Sequence, residues 1–137
     1  MYKHILLPTD GSKLSEKAIK HGVALAKALK AKITAVTVSP PLSTIASESV
    51  IGTDPSKPPA QYLGMVRKAA AASKVACDVM HVENDQPHQA IIAAAKKQKC
   101  DLIVMASHGR RGISALVLGS VTAKVLTHST IPVLVYR

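Results

Sequence analysis

Residues 101–120 read DLIVMASHGRRGISALVLGS, an apolar run followed by a segment rich in glycine and arginine. Residues 101–106 have the length and the aliphatic composition of a strand buried in a parallel sheet. Three glycines then permit close approach of backbone N–H groups to an anion, and the Gly119–Ser120 step opens a helical pattern that runs to His128. The stretch predicts a phosphate-binding loop that ends at a helix N-terminus. The alternative is that the glycines serve tight turns and that Gly119 lets the helix begin close to the sheet.

Strands and helices alternate outward from this stretch along the whole chain. Apolar and β-branched runs predict strands, and apolar residues that recur every three or four positions predict helices. The predicted strands are residues 2–8, 31–38, 77–82, 101–106 and 131–136, and the predicted helices are residues 12–30, 59–76, 87–98 and 120–128. Residues 39–58 contain four prolines and no clear period, which predicts a long loop. This alternation is typical of an α/β fold, a doubly wound parallel sheet with helices on both faces.

The length of 137 residues fits a single domain spanning residues 1–137. Hydrophobic residues make up 47% of the chain, yet no apolar run approaches the roughly 20 residues that span a bilayer. Asp10 also follows the first apolar run too soon for a signal peptide. We therefore expect a cytoplasmic protein. Cys77 and Cys100 form no CxxC pair, so we expect reduced thiols.

The formal net charge of +10 raises nucleic acid and acidic membranes as partners. Three tyrosines are the only large aromatic residues in the sequence, whereas single-strand binders stack bases on several aromatic rings. The lysines are dispersed along the sequence, on the polar side of residues 12–30 and at the end of residues 87–98. We expect a solvated basic surface and no membrane partner, and the sequence disfavours nucleic acid as a partner.

Two loops are predicted to meet where ligands bind in parallel sheets, beyond the carboxyl ends of the strands. The first is PTDGS, residues 8–12, in which Asp10 can accept hydrogen bonds from a ribose or a base edge, or can cap the following helix. The second is the glycine-rich loop. The six histidines have no metal-ligand spacing, so we expect no metal site built from side chains. Neither loop supplies a base that would activate water, which predicts binding of a phosphate-bearing ligand with at most slow hydrolysis.

The residues at both ends of the chain resemble the universal stress protein family. The segment ILLPTDGS, residues 5–12, is similar to the family's first strand and aspartate turn, and residues 107–137 are similar to its C-terminal signature. The ATP-binding branch carries a glycine, two residues, a second glycine, nine residues and then Gly-Ser or Gly-Thr. Here Gly109, nine residues and Gly119–Ser120 match this pattern, whereas Ala106 stands in place of the first glycine. The resemblance implies a Rossmann-like sheet of five strands in the order 3-2-1-4-5, as in adenine nucleotide alpha hydrolases.

The resemblance also implies a site for ATP, or for AMP or ADP, with Mg²⁺ carried by the phosphates. Pro8 and Thr9 would shape one wall, Asp10 would hold the ribose or adenine side, and Val38 would offer backbone groups to the adenine. The residues implied around the phosphates are Ala106, Gly109, Arg110, Gly119, Ser120, Val121 and Thr122.

Members of the family usually dimerise through the last strand, which implies a homodimer through residues 131–136. An apolar edge strand is an aggregation hazard unless another chain covers it, so the expectation agrees with the sequence. The alternative is a monomer in which a helix covers that edge. We expect a dimeric, nucleotide-dependent signalling module of the stress response whose protein partners the sequence does not identify. Two alternatives stay open: a dimer that does not bind ATP and acts through protein contacts, and a basic adaptor that binds nucleic acid.

Overall fold

The computed structural model describes residues 1–41, 58–108 and 118–137, and these ranges contain five strands and four helices. The strands are β1 (His4–Pro8), β2 (Lys32–Ser39), β3 (Cys77–Glu83), β4 (Leu102–Ala106) and β5 (Val133–Tyr136). The helices are α1 (Lys13–Leu29), α2 (Pro59–Ala72), α3 (Pro87–Lys97) and α4 (Ser120–His128).

All five strands form one parallel sheet in the order β3-β2-β1-β4-β5. The order and the alternation with helices confirm the predicted α/β fold. The chain builds the β2–β3 side first and then crosses β1 to build the β4–β5 side. The strand order therefore reverses between β1 and β4.

The central strand β1 joins two apolar layers, because successive side chains of a strand point to opposite faces of the sheet. Ile5 and Leu7 pack against α1 and α2, whereas Leu6 packs against α3 and α4. All three side chains are fully buried. Full burial of an aliphatic side chain contributes about 1.5–3 kcal/mol, so this short strand stabilises both layers.

Three helices end in the same way. The residues after α1, α2 and α3 include Lys30, Lys74 and Lys99, whose φ angles are 55°, 58° and 57°. This left-handed conformation is most favourable for glycine and costs other residues about 1 kcal/mol. In each case the chain turns directly into the next strand, so the turn positions lysine at the start of β2, β3 and β4.

Element ends differ from the predicted ones by more than one residue at three places. Strand β1 begins at His4 rather than at residue 2. Helix α2 ends at Ala72 rather than at residue 76, since Ser73 and Lys74 form a turn that the alanine-rich sequence does not reveal. Strand β5 begins at Val133 rather than at residue 131, because Pro132 has no N–H to donate to the ladder. Most of the predicted loop, residues 42–57, lies outside the described residues.

Both cysteines are free thiols, Cys77 half-buried and Cys100 buried. Burial, with a smaller contribution from Asp101, raises the pKa of Cys100 to about 11. This thiol therefore stays protonated at neutral pH and is a poor nucleophile. Within the three described ranges, no helix is both long enough and apolar enough to cross a membrane.

His4 is a buried polar residue of β1. Its Nε2 atom lies 2.8 Å from Thr34 Oγ1. Burial lowers the pKa of His4 below its ordinary value of 6.5, and the positive charge of Lys32 lowers it further. The folded protein therefore favours the neutral imidazole at this position.

Acidification should destabilise the protein through His4. Because the folded-state pKa is below the unfolded value, the stabilising contribution is full above about pH 6.5 and is lost as the pH falls through the lower folded-state pKa. We expect a lower urea midpoint at about pH 5.5 than at about pH 7.5, and His4→Gln should reduce that difference. A variant that keeps the entire wild-type difference would show that His4 is not the group responsible.

Candidate functional site

The carboxyl ends of β1, β2 and β4 meet at one edge of the sheet, which we call the carboxyl edge. Their last residues are Pro8, Ser39 and Ala106. Doubly wound sheets bind ligands in the crevice that opens at the reversal of strand order. Here the reversal lies between β1 and β4, and both the turn after β1 and the start of α4 lie beside it.

The turn after β1 is held by its own polar groups. The Thr9 N–H donates to the Val36 carbonyl (2.9 Å), and Thr9 Oγ1 lies 3.2 Å from Ser15 Oγ in α1. Thr9 is buried, so its side chain fixes the turn and joins it to the helix. Asp10 Oδ1 accepts from the Ser12 N–H (2.9 Å), and Ser12 Oγ in turn accepts from the Ser15 N–H (3.2 Å) as the cap of α1.

One wall of this turn is formed by Tyr62 of α2, which the sequence analysis did not identify. Gly11 has a φ of +78°, and a Cβ atom at this position would overlap the Tyr62 ring. Glycine is therefore required both by the backbone conformation and by the packing of the ring. The aspartate-glycine step was a local signal for the turn, but no local signal connects it to a tyrosine about fifty residues away.

Val38 lies near the end of β2, past the last residue of β1. The Val36 carbonyl accepts from Thr9, on the β1 side, and the Ser39 carbonyl accepts from Asn84, beyond β3. The N–H and carbonyl groups of successive residues point to alternate sides of a parallel strand. The N–H and carbonyl of Val38 therefore point to the same side as those of Val36, toward β1. Strand β1 has ended by this level, which leaves the Val38 backbone beside the crevice.

On the other side of the crevice, the first turn of α4 is fixed against β4. Thr122 Oγ1 donates to the Ala106 carbonyl (2.8 Å), and both residues are buried. The Gly119 N–H donates to the Ser107 carbonyl (2.7 Å). The Thr122 side chain and the Gly119 N–H are therefore used within the protein, and neither is available to a ligand.

Gly119 allows α4 to begin in contact with β4. A Cβ atom on Gly119 would lie 2.9 Å from His108 Cα and 3.1 Å from the Ser107 carbonyl oxygen. Distances this short require the backbone to move. The structure thus supports the packing interpretation of Gly119, which is compatible with a ligand at the same helix start.

The first turn of α4 has N–H groups that no side chain of the described residues caps. The first helical bond runs from the Ala123 N–H to the Gly119 carbonyl (2.9 Å), so the N–H groups of Ser120, Val121 and Thr122 precede it. Such groups, with the positive end of the helix dipole, favour an anion. Two predicted phosphate residues, Gly109 and Arg110, lie outside the described residues.

Ala106 differs from the glycine of the family pattern by one buried methyl group. It is the last residue of β4 and pairs with Tyr136 of β5. Its backbone is extended, and among the described residues it is not one of those with positive φ. The position therefore has no conformational requirement for glycine, and the methyl group affects only the space available.

The described part of the site combines a helix start that favours anions with an aspartate across the crevice. Asp10 is half-buried and its carboxylate accepts hydrogen bonds. This arrangement suits a ligand with an anionic group at one end and hydroxyl or amino donors at the other.

His108 Nδ1 lies 3.2 Å from Ser107 Oγ at the end of β4. The described residues include no group of three or more His, Cys, Asp or Glu side chains that could hold a metal ion.

The fold and the crevice define the class of doubly wound α/β proteins whose ligand edge opens at a reversal of strand order. The chain belongs to the universal stress protein family, because the family model matches residues 1–137. It is similar to the universal stress protein MJ0531 of Methanocaldococcus jannaschii, with 35% identity over all of this chain and 83% of that protein.

Solved structures agree with this assignment. The structure of MJ0577, a universal stress protein of the same organism, has a TM-score of 0.81 and 29% identity, with 98% of this chain and 95% of that chain covered. A universal stress protein solved in complex with cAMP has a TM-score of 0.77 and 26% identity, with 99% of this chain and 97% of that chain covered.

Substitution of Gly119 should disturb the junction of β4 and α4. Gly119→Ala should lower the free energy of unfolding by about 1–3 kcal/mol, because the new methyl group meets the His108 backbone. Gly64→Ala is the matched control: a Cβ atom on Gly64, in the exposed side of α2, meets nothing within 4 Å, so it should raise stability by about 0.5–1 kcal/mol. Urea unfolding measures both values. Equal effects of the two substitutions would contradict the close packing of Gly119.

Proposed function

We propose that this protein binds ATP, or AMP or ADP, at the carboxyl edge and acts in the cytoplasm as a dimeric, nucleotide-dependent module of the stress response. The observation that carries the proposal is the first turn of α4, which no side chain of the described residues caps, on one side of the crevice and Asp10 on the other. The complex of a related universal stress protein with cAMP supports an adenine nucleotide as the ligand class.

The phosphates are proposed to lie at the start of α4. The N–H groups of Ser120, Val121 and Thr122 would donate to phosphate oxygens, and the Ser120 side chain is exposed there. Gly109 and Arg110 are proposed to complete this side. Ala106 and Gly119 would act by letting the strand end and the helix start approach each other, since the Gly119 N–H already bonds to Ser107.

The adenosine is proposed to lie across the ends of β1 and β2. Asp10 would accept a hydrogen bond from a ribose hydroxyl or an adenine amino group, while the Val38 backbone would contact the adenine edge. Pro8 and Thr9 would form the adjacent wall, with Thr9 acting through the turn that its buried side chain fixes.

Mg²⁺ is proposed to arrive with the phosphates, where it would neutralise part of their charge. Asp10 Oδ1 accepts from the Ser12 N–H, which uses one oxygen of the carboxylate in the turn. We therefore propose a site that retains its nucleotide, with ATP hydrolysis slow or absent. Occupancy of the site would be the signal that protein partners read.

The dimer is proposed to form through residues 131–136. Strand β5 is at the edge of the sheet and, among the described strands, pairs with β4 alone. Leu134 is exposed to 49% on this strand. A second copy of β5 would satisfy the free backbone groups of the edge and cover the leucine.

A second candidate is a family member that does not bind ATP and acts through protein contacts at the dimer surface. The observation that favours it is Ala106, whose buried methyl group reduces the space at the end of β4. The extended backbone at this position favours the first candidate, because no strain accompanies the methyl group. The two candidates differ in whether the wild-type protein binds ATP at all.

Asp10→Asn should weaken ATP binding about tenfold or more, because a hydrogen bond to a charged acceptor contributes about 1.5–3 kcal/mol. The asparagine oxygen can still accept from Ser12, so the turn and the thermal stability should be retained. Asp85→Asn, an exposed position after β3, is the control for the same change in net charge. Calorimetric titration with ATP and Mg²⁺ measures the three affinities. Equal affinities for all three proteins would remove Asp10 from the site.

Leu134→Asp should convert the dimer to a monomer, since two copies of the edge strand would then bring like charges together in an apolar contact. Met65→Asp is the matched control, because this methionine is exposed to 44% on α2, which packs against β2 and β3 at the other end of the sheet. Light scattering after gel filtration gives the mass of each protein. If the Leu134→Asp protein remains a soluble dimer, the proposed interface is wrong.

A further inference from the structure

The amino ends of the strands form a second edge, opposite the candidate nucleotide site, which we call the amino edge. Eight exposed lysines lie on it, at the starts of β1 and β2 and at the ends of α1, α2 and α3. They are Lys3, Lys27, Lys30, Lys32, Lys74, Lys96, Lys97 and Lys99. These lysines are dispersed in the sequence, and the parallel topology brings them to one edge because each crossover helix returns to the amino ends of the strands.

Backbone hydrogen bonds connect the segments that carry these lysines. The Lys32 N–H donates to the Lys3 carbonyl (3.0 Å), and the Ile33 N–H donates to the Ala76 carbonyl (2.8 Å), which brings the turn after α2 beside β2. The Lys3 N–H donates to Asp101 Oδ2 (2.9 Å), which brings the turn after α3 beside β1. The lysines therefore follow one continuous line across four strand starts, which are about 4.8 Å apart.

Most of the described acidic residues lie away from the amino edge. Among the described residues, two acids lie near the amino edge, Asp78 and Asp101. Both Asp101 oxygens accept backbone N–H groups, from Lys3 and His4. The other four described acids belong to the carboxyl half of the molecule: Asp10, Glu16, Glu83 and Asp85. Among the described residues, the excess of basic over acidic side chains is thus largest at the amino edge.

Helix dipoles explain part of this pattern but not all of it. Cations in the last turn of a helix, such as Lys27, Lys96 and Lys97, interact favourably with the negative end of the dipole. Lys3 and Lys32 are at strand starts, where no helix dipole favours them. The three left-handed positions after the helices favour glycine, yet each is a lysine.

We propose that the amino edge binds the phosphate backbone of duplex nucleic acid without sequence preference. Point charges in a line several strand spacings long match the closely spaced phosphates of a duplex. Single-stranded nucleic acid is disfavoured as the ligand, because it needs exposed aromatic rings on which bases can stack. None of the three tyrosines, all of which are described, offers such a ring at this edge: Tyr2 packs against the core, Tyr62 is buried, and Tyr136 stacks on His21 at the end of β5. A membrane surface is also disfavoured. Among the described residues, Met1 is the one large apolar side chain exposed at this edge, and a single such side chain is too little for insertion into a membrane.

Two variants, each with four substitutions, test the amino edge. The first is Lys3→Gln, Lys32→Gln, Lys96→Gln and Lys97→Gln, which avoids the left-handed positions. The control is Lys17→Gln, Lys20→Gln, Lys68→Gln and Lys124→Gln, which removes four exposed lysines from the helices and changes the net charge equally. Fluorescence anisotropy with a labelled DNA duplex of about 30 base pairs gives the affinity of the wild type and of both variants between about 50 and 200 mM salt. The urea midpoint of each protein shows whether the substitutions change its stability.

Wild-type affinity should fall about 100-fold over this fourfold change in salt, as expected for about four phosphate contacts. The amino-edge variant should bind at least about 30-fold more weakly at low salt, with a salt slope smaller by about one for each lysine that contacts a phosphate. The control should stay within about threefold of wild type. ATP and Mg²⁺ at constant ionic strength should not compete, since the nucleotide site is on the opposite edge.

Equal losses in the two variants would overturn the proposal, because the effect would then depend on net charge and not on the edge. Absence of duplex binding at low salt would also overturn it. Vesicles of phosphatidylcholine with about 30% phosphatidylserine are included as the competing surface. Binding to these vesicles without binding to the duplex would assign the amino edge to a membrane and contradict the proposal.

Discussion

The pairing of β1 with β2 on one side and with β4 on the other determines the rest of the structure. Both pairings are parallel, as are those of β3 and β5, so each of the four described helices runs from the carboxyl edge back to the amino edge. The strand order reverses at this point, which opens the crevice between β1 and β4. Ile5, Leu6 and Leu7 hold this arrangement through full burial on both faces. The same constraint creates two chemically different edges from one sheet.

Within the described residues, the carboxyl edge depends on a few close contacts. Gly119 lets α4 begin against the backbone of His108, while Gly11 admits the Tyr62 ring beside the turn after β1. Polar groups that could have met a ligand, such as the Thr9 and Thr122 hydroxyls, are bonded inside the protein instead. The groups proposed to meet a ligand are the backbone at the start of α4 and near Val38, and the carboxylate of Asp10, which also accepts from the Ser12 N–H. Backbone recognition of this kind suits phosphates and the edge of an adenine ring.

Local patterns in the sequence were sufficient for the strands, the helices and their parallel arrangement, because apolar periodicity depends on neighbouring residues. They also located Asp10, Ala106, Gly119 and the first turn of α4 at one edge, since parallel strands place their carboxyl ends together. The contact of Tyr62 with Gly11 could not be predicted, because it joins separate helices and turns. The line of amino-edge lysines was missed for the same reason: dispersal along the chain indicated a diffuse surface, and only the topology brings the residues together.

Identification of the nucleotide that accompanies the natively purified protein is the most direct test of the carboxyl-edge site. The protein is denatured, the released small molecules are separated and weighed by mass spectrometry, and the emptied protein is titrated with ATP and Mg²⁺ at about 300 mM salt, which suppresses nonspecific binding to lysines. We expect an adenine nucleotide approaching one per chain, and saturable rebinding despite Ala106. An empty protein that gives no heat with ATP would contradict the site and would favour a family member that acts through protein contacts.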